Sequence, residues 1–199
     1  AKAQTMWSIC LSASGLFIGI SAPVLGAIAD TSGRRMPWIY FFSIMLIVGA
    51  LGTWVGVPDG SNLTLMLYFF ALGYIGTEFA LIFTNAQLTT LGNQNEIGKI
   101  SGSGFGFGYL GGVFALAIAL LFLVEQPNGT TFMLGIEPLF GFLNPENMEG
   151  TRFVGPLAAI WFIVFAIPYF NNMKDDPALL NKINAVSYTH LRAHETVVY

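Results

Sequence analysis

Histidine does not occur before His190, cysteine occurs once, at Cys10, and only 10% of the 199 residues are charged. Each scarcity excludes something. One cysteine cannot form a disulfide within the chain, and inside an apolar run it reads as a small packing residue. Without histidine in the body of the chain there is no Ser/His/Asp set and no His-based metal cluster. No carboxylates are paired for acid–base work, so neither an enzyme nor a cofactor is expected. The net charge of −3 has no basic patch behind it, so nucleic acid is not an expected partner.

What is present is apolar. Hydrophobic residues make up 54% of the chain and aromatics 15%, with a mean hydropathy of +0.65. A soluble domain carries about 25% charged residues. The hydrocarbon core of a bilayer is crossed by roughly 20 apolar residues of helix. Five runs reach or approach that length: Met6–Ala29, Pro37–Val57, Leu63–Leu88, Ile100–Val124 and Phe153–Phe170. They are too long for strands and do not alternate. In lipid the backbone must satisfy itself within the segment, which selects helices. The predicted fold is an all-α membrane protein of about five transmembrane helices, within residues 1–184.

The connections set the orientation. Arg34, Arg35, Lys99, Lys174 and Lys182 fall on one side of the membrane, and Lys2 and Arg152 on the other. The positive-inside rule makes the first side cytoplasmic. The long, acidic Glu125–Arg152 connection is then external. It holds the triplet Asn128-Gly129-Thr130, and Asn62-Leu63-Thr64 is a second such triplet, but neither is assigned a glycan.

Three constellations stand out. The first is the turn after the first span, Gly26-Ala27-Ile28-Ala29-Asp30-Thr31-Ser32-Gly33-Arg34-Arg35. Gly26 permits close helix approach, Gly33 permits a tight turn, and Asp30 can pair with Arg34 or face a helix N-terminus. Arg34 and Arg35 anchor the turn at the headgroups. The second is Glu78, an ionisable residue well inside an apolar run, with Tyr74 one turn away and Asn85 further along the same helix. A charge at mid-bilayer costs about 2.5–3.5 kcal/mol on insertion scales, so such a residue is a candidate for a proton or substrate path. The third is small-residue spacing. Gly15 and Gly19 share a face of the first helix, and Gly104, Gly108 and Gly112 share a face of the fourth. Such faces let helix backbones meet closely. Static packing or assembly explains them as well as sliding does, which leaves a membrane scaffold or partner-binding subunit as a rival to transport.

The pattern Gly-x-x-x-Asp-x-x-Gly-Arg-Arg between two membrane helices resembles the signature loop between helices 2 and 3 of the major facilitator superfamily. Gly26, Asp30, Gly33, Arg34 and Arg35 match it, and Thr31 departs from a position that is usually basic. Ala22-Pro23-Val24-Leu25, Ser101-Gly102, Gly108-Tyr109-Leu110-Gly111-Gly112, Ala159-Ile160-Trp161 and Ile167-Pro168 resemble the branch of vacuolar amino-acid effluxers of autophagy and their bacterial relatives. The resemblance implies that the five spans are helices 2 to 6 of twelve, a partial bundle from an N-terminal half. The C-terminal half of the transporter would then be a missing partner. It implies secondary transport of a small solute, amino acids among the candidates, by alternating access in a bacterial cytoplasmic membrane, with the loop as a cytoplasmic gate latch. The arginine that proton antiporters of the superfamily often carry in helix 4 is lacking here, so an antiport mechanism of the drug-exporter type is not implied. The second and fifth spans, the most apolar, would be the lipid-facing helices.

The chain does not open on Met, and it is expected to begin within a longer gene. Its last stretch, Val186 to Thr196, resembles a translated transposase adapter from library preparation. Residues 185–199 are therefore expected to be a non-native tail, and His190 and His194 within it are not counted as metal ligands.

Overall fold

The structure is a computed structural model that describes residues 2–175, apart from the side chains of Asp30, Ser32, Thr89 and Gln94. The expected tail at 185–199 lies outside the described residues. Five helices carry the fold: α1 (Lys2–Ser32), α2 (Met36–Gly52), α3 (Leu63–Gln87), α4 (Gln94–Phe122) and α5 (Glu149–Asn172). All five are long and apolar enough to cross a membrane, α2 with the short 3-10 turn that extends it to Val55. The chain is an all-α membrane protein with a partial transporter-type helical bundle.

The spans follow the apolar runs with shifted ends: α1, α5 and the start of α4 extend beyond them, while α2, α3 and the end of α4 stop short. α1 continues past Ala29 to Ser32, so half of the expected loop is helix, and Gly33 turns the chain at φ +64°. A residue with a side chain is strained there. α2 begins with Pro37 in its first turn, where a missing N–H costs nothing. α4 starts at Gln94, six residues before the apolar run. The Asn93 amide donates to Glu96 Oε2 at 3.2 Å, and this local bond begins the helix in polar sequence. Pro23, Pro156 and Pro168 lie inside helices, as membrane spans tolerate.

α2 and α3 form the tightest pair. Gly49 faces Gly73, and Gly76 faces the backbone of Leu46, so the two helices meet with little side chain between them. Towards the basic end the gap widens and is filled by aromatic rings. Phe42 stacks on Phe79 at 4.8 Å and on Phe83 at 5.7 Å, and Trp38 stacks on Phe83 at 6.0 Å. Ile18 and Ala29 of α1 close this core, with Ile39 from α2. α2 is therefore half core and half lipid-facing. Ile39 and Phe42 are buried, while Phe41, Ile44 and Val48 are exposed.

α5 packs along α2, with Gly155 against Thr53 and Ala50. α4 stands further out, touching α5 and the neighbouring short turns. Between α3 and α4 lies an apolar groove of about 660 Å³, lined by Leu81, Thr84 and Asn85 on one side and Gly104, Gly108 and Tyr109 on the other.

The connection between α4 and α5 is ordered by its own polar contacts. Glu125 is buried and accepts bonds from the amides of Gly150 and Thr151 at 3.3 and 3.2 Å, and from the Thr151 hydroxyl at 3.2 Å. These are unpaired donors of the first turn of α5, where the helix dipole also favours an anion. Arg152 reaches back to α2, donating to the Trp54 carbonyl at 2.7 Å from one Nη and lying 4.6 Å over the Trp54 ring.

Candidate functional site

Two regions bear on function. The first is the turn between α1 and α2. Gly26 lies on α1 with nothing within 4 Å of a side chain built there. Asp30 lies in the last turn of α1, and its side chain, with the expected pairing to Arg34, is outside the described residues. Gly33 is buried at the turn, Arg34 is exposed and Arg35 is half-buried. Arg35 Nη1 donates to the Ala86 carbonyl at 2.8 Å. The partner is a carbonyl near the C-terminal end of α3, where the negative end of the dipole attracts a cation. The turn is thus tied to α3 by an arginine.

Asp175 and Tyr169, which the sequence did not single out, converge on the same end with Gln87, for which the sequence suggests anchoring or a helix–helix hydrogen bond. Asp175, just past α5, accepts from the amides of Arg35 and Met36 at 2.8 and 2.9 Å through one carboxylate oxygen. The Tyr169 hydroxyl donates to Oε1 of the buried Gln87. A buried amide on an apolar helix and a tyrosine one turn from the opposite helix end are the sequence signals for that bond, but nothing in the order of residues pairs them. An acid three residues beyond a span is a weaker signal still.

The second region is the middle of α3. Tyr74, Glu78 and Asn85 fall on one stripe of the helix. On one flank Ile75 and Ile82 pack against the core shared with α1. On the other, Leu81 and Asn85 line the groove facing α4. Glu78, between these two flanks, is half-buried. Tyr74 stacks on Phe70 at 6.0 Å, which holds its ring on that stripe.

The small-residue faces do not pack against other helices within the described residues. Around Gly15, Gly19, Gly104, Gly108 and Gly112 nothing lies within 4 Å of an added Cβ. The glycines that bring helices together are Gly49, Gly73, Gly76 and Gly155. Counting every fourth residue misses them, because contact depends on which face the neighbour covers. Among the described residues no three histidines, cysteines or acids gather as a metal site would require.

Comparison with known proteins agrees with this architecture. Residues 2–197 match the family described as vacuole effluxer Atg22 like. An uncharacterised MFS-type transporter of Bacillus subtilis (strain 168), YxiO, is 27% identical over 175 residues, which is 87% of this chain and 37% of that protein. The chain therefore spans little more than a third of the relative's length. No solved structure matches it. On the family match and the five apolar spans together, the chain is an integral membrane protein belonging to the Atg22-like vacuole effluxer family, a branch of the major facilitator superfamily.

Proposed function

We propose that the full-length protein is a secondary transporter that moves a small solute by alternating access, with amino acids as the first class to test. The Gly26–Arg35 turn is its cytoplasmic gate latch. Glu78, with Tyr74 and Asn85, lies on the substrate or proton path. The observation that carries this reading is Glu78, an acid half-buried within the apolar span α3, on the same stripe as Asn85, which lines the groove facing α4. An intramembrane acid is costly and is retained where it faces a wet cavity or a ligand. The membrane would be a bacterial cytoplasmic membrane, a reading supported by the likeness to an MFS-type transporter from a bacterium. The remaining wall of the cavity would come from the part of the protein that this chain does not span.

The test is uptake by full-length protein in proteoliposomes, with a panel of radiolabelled amino acids and an imposed pH gradient. Wild-type protein is expected to accumulate at least one of them, and Glu78→Gln to reduce the rate at least about tenfold with unchanged membrane yield. Equal rates for the two would remove Glu78 from the path. A second reading, a scaffold that assembles through its small-residue faces, draws on the uncovered Gly104, Gly108 and Gly112 stripe. It predicts no uptake of any solute and a partner protein crosslinked to that stripe.

A further inference from the structure

We propose that Asp175 is a positioning residue of the cytoplasmic gate, fastening the end of α5 to the turn that carries Arg34 and Arg35. The inference rests on the alternating-access reading of that turn. One carboxylate oxygen of Asp175 accepts from two successive amides, Arg35 at 2.8 Å and Met36 at 2.9 Å. Both amides belong to the start of α2, so the carboxylate lies at the positive end of a helix dipole, and its charge strengthens the bonds.

The geometry does more than cap a helix. The two amides belong to the gate turn, and the carboxylate belongs to a segment about 140 residues away in sequence. Arg35 in turn reaches the Ala86 carbonyl of α3 at 2.8 Å, so its backbone is held by α5 and its guanidinium by α3. Tyr169 of α5 completes the triangle by donating to Gln87 of α3, and its hydroxyl lies 3.9 Å from the sulfur of Met36. Three helix ends are thus joined around one arginine. A gate that opens by moving α5 or α2 must break the Asp175 contact or carry it along. Losing the carboxylate frees the backbone that aims Arg35, without removing either arginine.

The experiment uses full-length protein with Cys10 and any other native thiols replaced, and a single reporter cysteine at Asn85→Cys. Asn85 is exposed among the described residues and lies on the Glu78 stripe towards the gate. The rate of its reaction with a membrane-impermeant maleimide is measured from the cytoplasmic side in inside-out vesicles. Asp175→Ala is expected to speed labelling about tenfold, the factor for roughly 1.4 kcal/mol of lost charge-assisted hydrogen bonding. Asp175→Asn keeps one acceptor oxygen and should stay within about threefold of the wild type. Rescue by the acceptor, with unchanged thermal unfolding, separates positioning from general damage. If Asp175→Ala does not reach the membrane, Asp175→Ser, whose hydroxyl is too short to reach both amides, takes its place: a rate well above wild type supports the proposal, and the wild-type rate overturns it. A folded Asp175→Ala that labels at the wild-type rate also overturns it. The control is the double change Arg34→Ala and Arg35→Ala. If that speeds labelling and Asp175→Ala does not, this inference alone falls. If no change at the turn alters labelling, the gate reading itself falls.

Discussion

Gly49 and Gly73 meet backbone to backbone, so closely that a methyl group on Gly49 would overlap the amide of Gly73. In lipid, helices gain nothing from hiding apolar surface from water, and association depends on such close approach. Gly49→Ala is therefore expected to destabilise the α2–α3 pair by about 1–3 kcal/mol, because neither backbone can shift without disturbing the aromatic stack beyond it. Thermal unfolding in detergent measures this. Gly98→Ala, with open space around the added methyl, is the contrasting change and should leave the melting temperature within about a degree, or raise it slightly through helix propensity.

At the end of the bundle away from Arg34 and Arg35, Arg152 holds the Trp54 carbonyl and covers its ring. Arg152→Lys keeps the charge but loses the planar fork and the stacking, so it should behave more like Arg152→Ala than like wild type. The expected loss is about 1–2 kcal/mol for either change. Quenching of Trp54 fluorescence by external iodide, in protein with its other tryptophans replaced, should rise in both.

Glu125 caps α5 from a distance of 25 residues in sequence. Truncation to Ala leaves the amides of Gly150 and Thr151 without that acceptor in a buried place, at a cost of about 1–3 kcal/mol. The external connection should then become sensitive to protease added outside sealed cells, with cleavage between residues 126 and 148. Glu125→Gln retains acceptor capacity and should be cut more slowly than Glu125→Ala.

The turn between α2 and α3 gives a pH prediction. Asp59 accepts from the Ser61 amide at 2.9 Å and from its hydroxyl at 2.8 Å, and these bonds, the backbone one foremost, hold its carboxyl below its ordinary value. The folded pKa is depressed, so the contribution is present above the ordinary carboxylate range and lost as pH falls through the lowered value. Hydrogen exchange at the Ser61 amide is expected to be constant, after correction for the intrinsic rate, from about pH 5 to pH 8 and to lose protection below about pH 4. Asp59→Asn should remove that acid limb.

Much of the architecture was legible in the order of residues. An apolar stretch of about 20 residues in lipid has few options besides helix, so five runs became five spans with shifts only at the ends. Those shifts have local causes. The polar start of α4 follows from Asn93 and Glu96, and the extra turn of α1 ends where Gly33 takes φ +64°. The basic turn and the isolated Glu78 were also visible, because a charge in or beside an apolar run is conspicuous in one dimension.

What the residue order determined alone, then, was the number and kind of the elements, and the charged groups that a bilayer would not tolerate by chance. Only the tertiary structure decided which glycines touch, which flank of α3 Glu78 faces, and that Asp175 binds the turn beside Arg35. The reason is physical. Helix formation in lipid is set by backbone hydrogen bonds within each segment. Contacts between segments depend on how each helix is rotated about its axis, and five spans that are apolar on most sides carry only a weak record of that rotation.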